Sequence, residues 1–165
     1  MSRVVVFMLM FSFSNVYAAD IKASLAALEA KFKGKTPKIN SSKMIKVEGK
    51  DISAPQMKIG RRKVNNNFKA VDAVKKEFGG TATIFVRHGD EFVRISTNVL
   101  KDGQRAIGTK LTKNAAYKTV MNKETFCGEV DILGSKYDTC YKPITGELDG
   151  KAGEIVGIWY VGYKK

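Results

Sequence analysis

At 165 residues the chain has room for one domain with a sizeable core and too little for two ordinary ones. Its formal net charge of +13 is carried mostly by lysine spread along the whole length, and the densest cluster is only Arg61, Arg62 and Lys63. That pattern argues against nucleic acid, whose binders gather cations and aromatics on one element, and favours a solvated basic surface with short-range attraction for anionic headgroups. With one histidine and two cysteines a zinc site is poorly supplied, and no metal or other cofactor is expected.

The opening MSRVVVFMLMFSFSNVYAAD sets one basic residue, Arg3, ahead of an apolar run over residues 4–13 and small residues at Ala18 and Ala19. This is the layout of a secretory leader; a membrane-spanning helix needs about 20 apolar residues, roughly twice what this run offers. The reading is a leader at 1–18 and a single exported, periplasmic domain at 19–165, with no transmembrane segment after cleavage. Next, DIKASLAALEAKFKG places Ile21, Leu25, Leu28 and Phe32 at helical spacing, with Asp20 as cap and Gly34 as stop. The Lys-, Ser- and Asn-rich stretch that follows is expected to be the least regular region, with short strands near 44–47 and 57–59. FKAVDAVKKEFGG then predicts a second helix, with Phe68, Val71, Val74 and Phe78 on one stripe and Gly79 at its end.

From Thr81 the pattern turns to strands. TATIFVR, EFVRIST, RAIGT, TFCGEVDI, KYDTCYKPI and EIVGIWYVGY are rich in β-branched and aromatic residues, are divided by Gly-containing turn dipeptides, and are interrupted by one helix, KNAAYKTVMN. Short turns require antiparallel neighbours, so the predicted class is α+β: one antiparallel sheet with helices to one side. Pairing TFCGEVDI with KYDTCYKPI about Gly134 sets Cys127 nearly opposite Cys140, which favours a disulfide in an exported protein.

Period-two alternation sorts the strands into two faces. Ile84, Val86, Val93, Ile95 and Thr97 form an aliphatic face suited to a helix. Thr83, Phe85, Phe92, Arg94 and Ser96 form a mixed one, joined on KYDTCYKPI by Tyr137, Thr139 and Tyr141. Aromatic walls with a few converging polar groups suit a small-molecule pocket, in which Arg94 is the natural clamp for a carboxylate. The competing reading is a wet sheet face with the arginine stem packed along it.

The motifs GGTATIFVRHGDEFVRISTNV, DGQRAIGTKL, ILGSKYDTCYKPI and EIVGIWYVGY resemble, in order and spacing, the extracytoplasmic Cache domain of the Cache 3/Cache 2 fusion type, over residues 47–163. The resemblance implies a PAS-like antiparallel sheet behind an N-terminal helix, with a cavity for small organic acids or amino acids on the face away from that helix, and no chemistry on the ligand. It places the ligand contacts among Phe85, Arg94, Arg105, Tyr117, Tyr137 and Tyr141. Arg105 also reads as a pin for the turn after Gly103, and Tyr117 as a core ring with its hydroxyl on backbone. Members normally sit between two membrane helices, so a free-standing sensor implies a separate membrane receptor or sensor kinase as partner in chemotaxis or two-component signalling. The rival is a ligandless interaction module with a filled interior. An enzyme is not expected, because His88 lies in the turn RHGDE without a neighbouring nucleophile.

Overall fold

The structure, a computed structural model, describes residues 14–165, with side chains from position 20 onward. The leader expected at 1–18 therefore lies mostly outside the described residues. Helix α1 spans Ser14–Ala30, starting ahead of Asp20 rather than at it. The alanines at 18, 19 and 23 are strong helix formers and no Gly or Pro interrupts them, so local propensity carries the helix through the position read as a cap. Its stripe of Ile21, Leu25 and Leu28, continued by Phe32, is buried.

The stretch expected to be the least regular, with short strands near 44–47 and 57–59, forms longer ones that include most of those positions: a hairpin of β1 (Pro37–Lys46) and β2 (Ser53–Ile59), with the two-residue β3 (Arg62–Lys63) on its outer edge. Its polar composition misled because one side faces solvent, while Ile39, Ala54, Met57 and Ile59 enter the core. A bulge between Asn40 and Met44 also breaks the alternation. There the Asn40 side-chain oxygen accepts the backbone N–H groups of Ser42 and Lys43 at 3.1 Å each.

Helix α2 (Lys69–Phe78), closed by Gly79 at φ 77°, leads into the hairpin β4 (Thr81–His88) and β5 (Glu91–Thr97). A small hairpin, β6 (Leu100–Lys101) and β7 (Gln104–Arg105), and helix α3 (Ala115–Met121) precede β8 (Phe126–Ile132), β9 (Ser135–Leu148) and β10 (Lys151–Lys164). The main sheet runs β3-β2-β1-β9-β10-β4-β5, and β8 pairs with the far part of β9. The turns after β6, β8 and β9 each carry two successive positive φ values, at Asp102-Gly103, Leu133-Gly134 and Asp149-Gly150, the geometry that matches strand twist in two-residue hairpins.

The α+β class holds, with one departure from a wholly antiparallel sheet: β1 and β9 meet in parallel, Lys38 opposite Glu147 and Ile39 opposite Leu148. The chain between them is long enough for a parallel return. At this junction a Cβ on Gly146 would collide with the Pro37 carbonyl oxygen, so the contact needs glycine.

RAIGT is not a full strand. Beyond Arg105, residues 106–111 run as a strap along β5, with Gly108 N–H on the Arg94 carbonyl at 2.8 Å, Arg94 N–H on the Thr109 carbonyl at 2.9 Å and Leu111 N–H on the Phe92 carbonyl at 2.9 Å. The strap covers a sheet edge that would otherwise expose unpaired backbone groups.

Two apolar cores lie on opposite faces of the sheet. One gathers α1, α2 and the β1–β2 hairpin over Ile84, Val86, Val93, Ile95, Trp159 and Val161. The other contains Phe85, Phe92, Tyr137, Tyr141, Ile158 and Tyr160 and is covered by the strap and by Ala116 and Val120 of α3. A bulge in β4–β5 sets Ile84 opposite Ser96 but Phe85 opposite Arg94. It exchanges two expected positions: Ser96 turns to donate to the Asn67 carbonyl at 2.6 Å, and Thr97 turns to meet the Thr83 hydroxyl at 2.6 Å.

Candidate functional site

Arg94 stands in the middle of β5, on the aromatic face, and is only 4% exposed. Its register partner Phe85 lies beneath it, with the guanidinium carbon 4.8 Å from the ring centroid. This is cation–π range and offsets part of the cost of burying the charge. Nη1 donates to Thr109 Oγ1 at 2.8 Å and to the Lys110 carbonyl at 3.3 Å, so the strap that seals the sheet edge also anchors the guanidinium. Thr109 Oγ1 in turn donates to the Ala106 carbonyl at 2.7 Å.

The other side of the guanidinium is unsatisfied. Nε is buried without a hydrogen-bond partner, and so is the Tyr141 hydroxyl. Among the described residues no carboxylate forms an ion pair with Arg94. Desolvation is the main effect on Arg94 and lowers its pKa, while the nearby phenols of Tyr141 and Tyr160 favour its charge. Burial raises both phenols well above their ordinary range; the guanidinium pulls each back in part, and the Thr81 hydroxyl, 3.1 Å away, does the same for Tyr160. Buried polar groups are nearly always paired, and two unpaired ones on a single face set this face apart.

Of the six residues named from the sequence, four share this face. Phe85, Arg94, Tyr137 and Tyr141 are buried together, and Tyr141 packs against Tyr160 with ring centroids 4.9 Å apart. Tyr117, on α3, borders the face with its ring 5.8 Å from that of Phe92, and its hydroxyl donates to the Asp90 carbonyl at 2.6 Å. It thus takes the alternative role of a covering ring bonded to backbone.

Arg105 lies elsewhere. It holds both carboxylate oxygens of Asp72 on α2, at 2.8 and 3.0 Å, donates to the Thr97 carbonyl at 2.8 Å and stacks over Phe68 at 4.4 Å. A guanidinium so occupied pins the β6–β7 hairpin to α2 and is not available to a ligand on the Arg94 face. Surface clefts adjoin it, one of about 550 Å³ lined by Asp72, Lys75, Lys76 and Leu100 among others, but that cleft does not reach Arg94.

Tyr160 and Thr109 were missed. Tyr160 falls on the aromatic face only once the β9–β10 register sets it opposite Tyr141, and EIVGIWYVGY offers either parity. Thr109 belongs to a strap without strand periodicity. Gly162 makes room here too, since a Cβ on it would strike the Tyr160 hydroxyl.

Cys127 and Cys140 are directly opposed in β8–β9, 4.2 Å apart at Cα, and form a disulfide on the side away from Tyr141. Cys140 is buried in the helix-side core, whereas Cys127 is exposed. Among the described residues no group of three or more His, Cys, Asp or Glu gathers to hold a metal, and no helix is long and apolar enough to cross a membrane.

A PAS-like α+β sheet with α1 and α2 behind it and a buried cationic, aromatic face in front is the architecture of a sensor-type domain. The chain belongs to the Cache 3/Cache 2 fusion domain family, whose sequence model matches residues 6–165. Cache domains are extracytoplasmic sensor modules that bind small molecules. No curated protein and no solved structure matches the chain.

Proposed function

We propose that this Cache domain binds a small anionic metabolite, a carboxylate or an amino acid, on the face formed by Phe85, Arg94, Tyr137, Tyr141 and Tyr160. In this reading it works as an exported, periplasmic sensor that reports to a separate membrane receptor or sensor kinase. The observation that carries the proposal is the buried Arg94 guanidinium, with one side anchored to the strap and the Nε side unpartnered beside an unpartnered Tyr141 hydroxyl. A carboxylate accepting from Nε and from the phenol would satisfy both orphans and supply the missing counter-charge. The face is closed to solvent, so a ligand enters only when α3 or the strap moves. Binding is thereby coupled to the elements that cover the site.

The same closure favours a second reading, an interaction module whose interior is filled by Phe85, Phe92, Tyr141 and Tyr160. Thermal unfolding of the exported domain across a panel of carboxylates and amino acids separates the two. A ligand at a hundredfold excess over Kd stabilises by about 2.7 kcal/mol, worth roughly 5–10 °C for a domain of this size. A panel without any such shift selects the interaction module, and a ligand that binds Arg94→Ala unchanged removes Arg94 from the site.

A further inference from the structure

We infer that the corner where the edge of the sheet meets the end of α1 is a docking surface for an anionic lipid bilayer. Six cations converge there. Lys58 and Lys63 stand directly opposite each other on β2 and β3, an arrangement that costs stability through like-charge repulsion. Arg61 occupies the turn between these strands. Arg62 lies with its guanidinium carbon 5.2 Å from the centroid of Phe32, just past α1. Lys33 and Lys35 continue the cluster from the segment after α1, and the Lys35 stem lies against Gly60, where an added Cβ would meet it at 3.1 Å. Lys33, Lys35, Lys58, Arg61 and Lys63 are all exposed, as is Arg62.

None of the six has a carboxylate partner among the described residues, so the corner keeps its full positive charge; lysines such as Lys101, Lys118 and Lys151 are unpaired too, and it is the gathering of six unneutralised cations in one place that marks the corner. Lys38, next to Lys58 on β1, shows the contrast within the same sheet, because Glu147 neutralises it at 2.6 Å. Edge lysines also guard a sheet against edge-to-edge pairing. That role accounts for Lys63 on the outer strand, but not for Lys33 and Lys35, which lie off the sheet.

A bilayer fits better than a nucleic acid. Phe32, covered by Arg62, and the Trp159 ring stacked on it at 5.3 Å are both buried, so neither is free to stack on a base. A corner built from a strand edge, a turn and a helix end presents its charges outward to a surface rather than around a groove, and each basic residue near an anionic leaflet contributes about 1 kcal/mol. This inference is independent of the Arg94 proposal and survives its failure.

The test is sedimentation of the exported domain with phosphatidylcholine vesicles, with and without phosphatidylglycerol, using heparin as a soluble polyanion. Binding only to the anionic vesicles is expected, with release as salt rises past about 0.1 M. The triple variant K58Q/R61Q/K63Q should bind roughly 100-fold more weakly, and R61Q alone about fivefold. A control triple, K101Q/K118Q/K151Q, removes the same charge from exposed lysines elsewhere and should bind nearly as well as the parent. The inference is overturned by failure to bind anionic vesicles, by an equal loss in the control triple, or by binding to heparin without binding to vesicles.

Discussion

Arg94 is the residue whose surroundings are least balanced. A buried charge without a counter-ion costs free energy, and an apolar side chain of similar length avoids that cost. Arg94→Met is therefore expected to stabilise the ligand-free domain by about 1–2 kcal/mol, raising the melting temperature by a few degrees while abolishing any carboxylate-induced shift. Calorimetry with and without ligand checks both halves; a less stable variant would mean that the strap depends on the guanidinium more than the guanidinium costs. Arg105→Ala should behave in the opposite way, losing the bidentate grip on Asp72 and about 1–3 kcal/mol of stability without changing ligand binding. The two arginines look equivalent in the sequence, each beside aliphatic residues in a strand-like run. Only the placement of Asp72 on α2, 33 residues earlier, distinguishes a satisfied guanidinium from an unsatisfied one.

β8 lies off the main run of strands and pairs only with β9. It nevertheless carries Phe126 opposite Tyr141 and Val130 opposite Tyr137, so its position shapes one wall of the aromatic face. The disulfide fastens it there, with a sequence separation of 13, and a cross-link closing a loop of that size contributes about 3 kcal/mol. Replacing both cysteines by alanine should lower stability by about 2–3 kcal/mol and raise amide exchange along β8 ahead of β10, as read by hydrogen–deuterium exchange; uniform exchange across the sheet would contradict this. The β8–β9 hairpin was legible because its turn signal and cysteine spacing agree, and α2 because its apolar stripe ends at a glycine. The β1–β2 hairpin and the strap were not, for a common reason. The bulge between Asn40 and Met44 interrupts the alternation of β1, the strap has no strand periodicity, and side chains on the solvent side carry no period. The exchanged positions of Ser96 and Thr97 have the same origin, since a bulge is a property of the pairing rather than of either strand.

For the molecule as a whole, the lysines lie outside while Arg94 and the phenols of Tyr141 and Tyr160 lie inside. Tyr141 and Tyr160 keep their protons in the folded state beyond the ordinary phenol value of 10.0, whereas the unfolded chain releases them near that pH. The folded state then binds more protons than the unfolded one, so stability present below pH 10 declines as pH rises through and above it. Lys113 and Lys165, raised chiefly by the hydrogen bonds they donate to Asp90 and Glu129, act in the same direction. Of the six tyrosines, these two should resist ionisation until the domain unfolds. Phenolate absorbance followed against pH would show their steps coinciding with loss of secondary structure, and Tyr141→Phe should flatten the alkaline decline. Ionisation of Tyr141 and Tyr160 before unfolding would contradict their buried placement. Fold class and the sensor character of the domain were legible at this scale because whole motifs recur in order. The closure of the aromatic face was not, because it depends on how α3 and the strap settle over residues distant in sequence, as Val120 of α3 is from Tyr160 of the face.

The strap grounds the guanidinium on a hydroxyl and a carbonyl, neither of which titrates, and an arginine keeps its proton across the physiological range. Affinity plotted against acidity should then trace the dissociation constant of the guest rather than of its host: level wherever the bound acid is ionised, and falling once it takes up a proton. Two guests of unequal acid strength should give two displaced curves of one shape, and a common inflection for both would reveal a protein group that shares the charge.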